Sequence, residues 1–218
     1  SRDWSSDVCS SDLMWIVGMT GGIGCGKSEA AKTFLSLGVP VVDVDKISHS
    51  LTQAGQPTLS EIVNIFGKTI LIKEGVLNRV ALREKIFSDA DAKKQLEDIM
   101  HPAIYDEVLK QLAKNASAPY QVIDIPLLFE SDRYLKLINR SLVIDCDPAI
   151  QIQRACERSG LSVNEVEKII ATQTPRAQRN QLANDILSNN GSVDELRKKV
   201  TQLHEKYIDT CAFNQLNT

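Results

Sequence analysis

The chain has 218 residues, 43% of them hydrophobic and 24% charged, with a formal net charge of −3. This is the composition of a globular protein with room for one α/β domain carrying an insertion, or for two small domains. It carries no basic signature for nucleic acid, and no stretch approaches the roughly 20 apolar residues of a membrane-spanning helix.

Residues 1–13 contain Ser-Ser-Asp twice and lack the apolar core of a signal peptide. They read as a non-native extension, of the kind left by sequencing-adapter read-through, and are expected to be disordered ahead of a start at Met14. Residues 14–19 form a short apolar run that predicts a buried strand. Next comes Gly21-Gly22-Ile23-Gly24-Cys25-Gly26-Lys27-Ser28, which fits the phosphate-loop pattern G-x-x-x-x-G-K-[ST] at every fixed position. Ala30, Ala31, Phe34 and Leu35 then recur at helical spacing. In a strand–loop–helix context, Gly22, Ile23, Gly24, Cys25 and Gly26 turn backbone N–H groups toward phosphate oxygens at a positive helix end. Lys27 can reach the β- and γ-phosphates of ATP, and the Ser28 hydroxyl can ligate Mg²⁺.

Residues 39–43 predict a second strand. Asp45 follows it, either as the N-cap of a helix starting near Lys46 or as a base that accepts a hydroxyl proton; the spacing leaves both open. Residues 55–117 read as a helical insertion, with helices over 58–66, 80–87 and 92–112 and only a brief apolar run at 70–72. Residues 120–125 predict a third strand. Asp124 at its end is either a carboxylate near Mg²⁺ or a simple cap. Residues 140–145 predict a fourth strand.

Residues 148–182 are helical and arginine-rich. Arg154, Arg158, Arg176 and Arg179 stand at spacings that let pairs share a face, either as a solvated surface or as a phosphate-facing lid. A weaker strand over 185–188 precedes an amphipathic helix over 192–213, capped by Ser192, and a tail over 214–218. Short strands alternating with helices imply a parallel sheet covered on both faces, with ligands at the carboxyl ends of its strands. Cys9, Cys25, Cys146, Cys156 and Cys211 form no C-x-x-C pair and are odd in number. They predict free thiols in a reducing cytoplasm. Cys25 reads as filler at a small-residue position, because the sequence offers it no resolving partner.

Several blocks then recur together. They are Thr20 to Ser28, Gly38-Val39-Pro40-Val41-Val42-Asp43-Val44-Asp45, Leu82-Arg83-Glu84-Lys85-Ile86-Phe87 and His101-Pro102-Ala103-Ile104. Ile125-Pro126-Leu127-Leu128-Phe129-Glu130, Gln153-Arg154-Ala155-Cys156-Glu157-Arg158 and Asn189-Asn190-Gly191 follow. In this order, across nearly all of residues 14–213, the chain resembles the dephospho-coenzyme A kinase family.

The resemblance implies a P-loop NTPase fold, three-layer α/β/α with a parallel sheet, a helical acceptor-binding insertion and an arginine-bearing lid. It implies transfer of the ATP γ-phosphate to the ribose 3′-hydroxyl of dephospho-coenzyme A, with Mg²⁺. It makes Asp45 the general base, with Lys27 and Arg154 as catalytic cations. It puts Arg158 and Asn189 on the ATP side, and Arg83 and His101 on the acceptor side. Its partners are the two substrates, with no nucleic acid, membrane or obligate protein partner.

Two positions depart from the family pattern: Glu29 stands where threonine is common, and Asn184 interrupts an Ala-Asp pair. The phosphate loop alone would also suit a nucleoside or nucleotide kinase, or a nucleotide-dependent switch. The other blocks favour the first reading.

Overall fold

The computed structural model describes residues 14–216. The extension expected over 1–13 and the last two residues of the tail lie outside the described residues. The chain divides into two compact units. Among the described residues, one comprises those up to Val42 together with those from Asn115 onward, and the other runs from Asp43 to Lys114.

The first unit is built on a five-stranded sheet. β1 (Trp15–Gly21), β2 (Val41–Asp43), β3 (Tyr120–Asp124), β4 (Arg140–Asp145) and β5 (Asp185–Ser188) lie in the order β2-β3-β1-β4-β5. β1 runs parallel to β3 and to β4, and β4 runs parallel to β5. The registers Met19↔Asp124, Gly21↔Ile144 and Asp145↔Ser188 bring the carboxyl ends of these four strands to one edge. β1, β3 and β4 are buried almost throughout, as central strands of a sheet covered on both faces must be.

Side chains alternate along these strands and feed two faces. Val17, Met19, Tyr120, Val122, Leu142 and Ile144 point one way, into a core with Ala30 and Phe34 of α1 (Lys27–Ser36). The C-terminal helix supplies Leu196, Val200, Leu203 and Tyr207 to the same core. It runs Val193–Leu216, somewhat past the expected end. Trp15, Tyr120 and Tyr207 meet edge to face at the base of this core, with Trp15 and Tyr207 centroids 5.1 Å apart. On the other face, Gly18 lets Ile138 and Leu128 approach the sheet.

The arginine-rich segment folds as three helices, Pro148–Ser159, Val163–Ala171 and Arg176–Leu182. Pro148 starts the first and Gly160 ends it in the left-handed conformation. Ser162 and Glu165 form a reciprocal capping box on the second.

The second unit is helical, with Val44–Leu51, Pro57–Phe66 and Arg79–Ser88 packed on the long helix Ala90–Lys114. It begins at Asp43, ahead of the boundary expected near 55, because the Val44–Leu51 helix buries Ile47 within this unit. The apolar run 70–72 makes no strand; Leu71 forms only an isolated bridge with Leu77.

Phe34 is fully buried between the sheet and the C-terminal helix. Phe34→Ala is expected to remove about 3–5 kcal/mol of stability. A lowered urea midpoint with an unchanged denaturant slope is the result that checks it.

Candidate active site

β1 ends at Gly21, and the chain turns through residues 22–26 into α1, with Gly26 as its N-cap. Gly24 has φ 77°, and a Cβ there would lie 2.5 Å from the Gln151 carbonyl oxygen, so only glycine fits. At Gly22 a Cβ would lie 2.5 Å from Gln151 Nε2 and 3.1 Å from an Arg179 terminal nitrogen. Glycine at this position is therefore what lets Gln151 and Arg179 reach the loop.

Hydrogen bonds fix the loop's shape. The Cys25 N–H donates to the Gly22 carbonyl at 3.1 Å. The Ile23 N–H donates to Gln173 Oε1 at 3.3 Å. Asn189 Nδ2 donates to the Cys25 carbonyl at 2.9 Å. The first turn of α1 leaves the N–H groups of Lys27 and Ser28 without intrahelical partners, at the positive end of the helix. Ser28 is exposed there. Glu29, the unusual residue of this turn, is paired with Arg197 at 2.7 Å.

Lys27 Nζ forms an ion pair with Asp124 Oδ1. Both side chains are recessed, with 18% and 6% exposure. The strand-end carboxylate expected near a metal is thus also the counter-ion of the loop lysine.

The lid arginines divide by partner. Arg176 donates to both oxygens of Asp145, at 2.8 Å from Nε and 2.7 Å from Nη2, and reaches Asp147 at 3.1 Å. Burial by itself would push the Asp145 carboxyl up; the Arg176 hydrogen bonds and charge outweigh it and hold the group below the usual carboxylate range. Arg154 donates to the carbonyls of Asn189 at 2.7 Å and Gly191 at 2.8 Å. Arg158 is exposed in the last turn of its helix.

Arg179 differs from all of these. It is only 6% exposed, its Nη1 donates to the Thr174 carbonyl at 3.3 Å, and its Nε is buried without a hydrogen-bond partner. Gln151 Nε2, also buried at the loop, is likewise unpartnered. A buried cation and a buried amide donor left short of acceptors, against a phosphate-type loop, are what an anion would complete.

The cysteine expected to stand alone does not. The Cys146 thiol donates to Cys25 Sγ at 3.1 Å, and both residues are fully buried. This bond lowers the Cys25 thiol pKa and raises that of Cys146.

The helical unit holds the remaining predicted residues. Asp43, not Asp45, caps its first helix: Asp43 Oδ1 accepts from the Lys46 N–H at 2.9 Å. The helix begins at Val44, earlier than expected, and Asp45 is exposed in its first turn. The capping alternative for Asp45 therefore falls away. His101 sits in the middle of the helix Ala90–Lys114, and it lines a cavity of about 330 Å³ with Arg79, Leu82, Lys93 and Met100. Arg79 is tied to Thr52 Oγ1 at 2.8 Å. Arg83 is exposed and outside this lining.

The structure thus brings together Gly22 to Ser28, Asp124, Arg154 and Asn189, and it places Asp45, Arg83 and His101 in the helical unit. The sequence pointed at Arg179 only as one lid arginine of four, and it gave no signal for Gln151 or Arg79.

A family model described as dephospho-CoA kinase matches residues 15–195. The dephospho-CoA kinase of Chromobacterium violaceum is 45% identical over 193 residues, covering 88% of this chain and 94% of that protein. Among solved structures, a Thermus thermophilus protein aligns with a TM-score of 0.77 at 30% identity, over 88% of this chain and 97% of that one. Dephospho-CoA kinase from Campylobacter jejuni aligns with a TM-score of 0.70 at 26% identity, over 91% of this chain and 99% of that one.

The Asp145–Arg176 pair carries a pH signature. The folded-state pKa of Asp145 lies below its unfolded value, so its contribution to stability is complete above about pH 4. It is lost as pH falls through the folded-state value. Asp145→Asn is expected to be less stable than the parent at pH 7 and to show a shallower loss of stability between pH 5 and pH 3. Denaturant midpoints across that range check this.

Proposed function

The chain belongs to the dephospho-CoA kinase family, and from that premise we propose how its residues divide the work of the family's reaction. The reaction transfers the γ-phosphate of ATP to the ribose 3′-hydroxyl of dephospho-coenzyme A, giving coenzyme A and ADP. It needs positioned phosphates, cationic charge and an oriented nucleophile. The observation that carries the reading is the Lys27–Asp124 pair beneath a glycine loop that Arg179 and Gln151 approach with unpartnered donors.

In this assignment the backbone from Gly22 to Ser28 cradles the triphosphate. Lys27 exchanges part of its contact with Asp124 for the β- and γ-phosphates. Arg179 and Gln151 add donors from the opposite wall of the loop. Arg154 holds the 189–191 turn that carries Asn189 to the nucleotide's adenine end, and contributes positive charge beside it. Arg158, exposed at the end of its helix, is a lid cation. Asp45 accepts the proton of the 3′-hydroxyl as it attacks. His101 and Arg83 serve the acceptor, together with Arg79.

Ser28 and Asp124 would hold Mg²⁺. They are oxygen donors of the kind that ion prefers, and among the described residues no group of three His, Cys, Asp or Glu forms a protein cage. This suits a metal bound mainly through substrate phosphates. When bound, it neutralises charge on the β- and γ-phosphate oxygens. We assign the reaction to the cytoplasm, without nucleic acid, membrane or obligate protein partner. No helix among the described residues is long and apolar enough to cross a membrane.

The direct test is ADP release from Mg-ATP with dephospho-coenzyme A, adenosine, AMP or no acceptor. Release with dephospho-coenzyme A alone, and coenzyme A by mass spectrometry, is expected. Release with adenosine or AMP would make the chain a nucleoside or nucleotide kinase, and acceptor-independent release would make it a switch.

Asp45→Asn is expected to lower kcat about 10²- to 10⁴-fold with ATP affinity unchanged; near-normal turnover removes Asp45 from the base role. Arg179→Met is expected to raise the KM for ATP about tenfold or more, the loss of one charge-assisted hydrogen bond. The KM for dephospho-coenzyme A should stay close to the parent value.

A further inference from the structure

Cys25 and Cys146 are 121 residues apart in sequence, and their sulfur atoms lie 3.1 Å apart in the structure. Neither thiol takes part in the phosphoryl transfer proposed above. Cys25 belongs to the phosphate loop through its backbone, and Cys146 directly follows β4. Both are fully buried, and each is a free thiol. Cys156 is part-buried and Cys211 is buried elsewhere.

We propose that Cys25 and Cys146 form an oxidative modification site, closed to a disulfide by a small hydroperoxide, which weakens ATP binding reversibly.

The chemistry balances as two steps. The Cys25 sulfur attacks one oxygen of hydrogen peroxide and the O–O bond breaks, giving a sulfenic acid and one water. The Cys146 sulfur then attacks Cys25 Sγ, and the S–O bond breaks. The departing hydroxide takes the Cys146 proton as a second water. Two thiols lose two electrons, and the peroxide is reduced to two waters. A dithiol reductant reverses the step by exchange.

Geometry favours the second step and predicts its effect. The sulfurs need to close by about 1 Å to reach a bond length of about 2.05 Å. Cys146 stands between strand β4 and a helix start, and so has little freedom to move. Much of the shift therefore falls on Cys25. Its carbonyl is held by Asn189 and its N–H by Gly22, and the glycines on either side are in close contact with Gln151 and Asn189. A displacement of Cys25 moves the N–H groups of the loop out of register with a bound triphosphate. Small oxidants are the class that reaches a buried pair, and a nucleotide seated on the loop should slow them.

The effect on ATP rests on the functional reading above; formation of the crosslink does not. The experiment treats the full-length protein with hydrogen peroxide, with and without Mg-ATP. It maps disulfides by non-reducing peptide mass spectrometry and measures binding of a fluorescent ATP analogue before and after dithiothreitol. A Cys25–Cys146 peptide is expected, formed more slowly with Mg-ATP, with about tenfold or greater loss of nucleotide affinity. Dithiothreitol should restore the affinity. Cys146→Ala should bind the analogue normally and show no dithiothreitol-reversible loss.

Absence of the peptide at doses that oxidise Cys156 overturns the proposal, and needs no variant to fold. Formation of the crosslink with unchanged affinity overturns its effect on ATP. Failure of the untreated parent to bind the analogue would instead count against the ATP-site assignment.

Discussion

A lysine placed where water is scarce needs a counter-charge, and the Lys27–Asp124 pair is the interaction around which the nucleotide half of the molecule is arranged. A recessed ammonium without a partner is costly, because the charge gives up water and gains no counter-ion in return. Asp124 meets it because β1 and β3 run parallel in the register Met19↔Asp124, so the residue that ends β3 stands beside the loop that follows β1. Slipping that register by one residue would turn Asp124 to the opposite face of the sheet. The apolar alternation of Val17, Met19, Tyr120 and Val122 into one core fixes the register against such a slip. Packing far from the site thus determines whether the site has a usable lysine.

The loop is equally a product of contact. Gly22 and Gly24 are bounded on their open sides by Gln151, which projects from the first helix after β4. The same helix carries Arg154, and its neighbour after Thr174 carries Arg176 and Arg179. The close approach that glycine permits is therefore what joins the arginine-rich segment to the phosphate loop. This is how the glycine loop and the arginine helices, well separated in sequence, come to lie side by side.

The local signals were legible in the sequence, and the pairings were not. The strand–loop–helix unit, the five strands and the helical middle could be read because each rests on short-range periodicity and on turn residues. Helix starts were harder to read. Asp43 and Asp45 both precede a helical run, and only the folded chain shows that the Asp43 carboxylate accepts from the Lys46 N–H while Asp45 is already within the helix. The long helix was legible from its periodicity despite Pro102, and it runs Ala90–Lys114 through both His101 and that proline. The partners of Lys27, Arg154 and Cys25 lie 97, 35 and 121 residues away. No pattern within a single sequence announces contacts of that span. Gln151 escaped for the same reason, since glutamine on a helix carries no chemical mark until its neighbours are known.

The four arginines of the 148–182 segment show why partner type matters more than count. A guanidinium held by a carboxylate forms a nearly neutral pair, so Arg176, bound across Asp145, anchors its helix to the end of β4 and adds little field at the loop. A guanidinium held by backbone carbonyls is oriented but keeps its full charge. Arg154 is of this kind, with one edge on Asn189 and the other on Gly191. Arg179 goes further, with a carbonyl on one nitrogen and no partner on Nε. The positive potential at the loop therefore comes from Arg154 and Arg179, while Arg176 supplies rigidity. A carboxylate placed to satisfy Arg179 would stabilise the empty protein and compete with phosphate for the same donors. In the proposed assignment, that guanidinium, left short of acceptors, keeps its donors for the nucleotide.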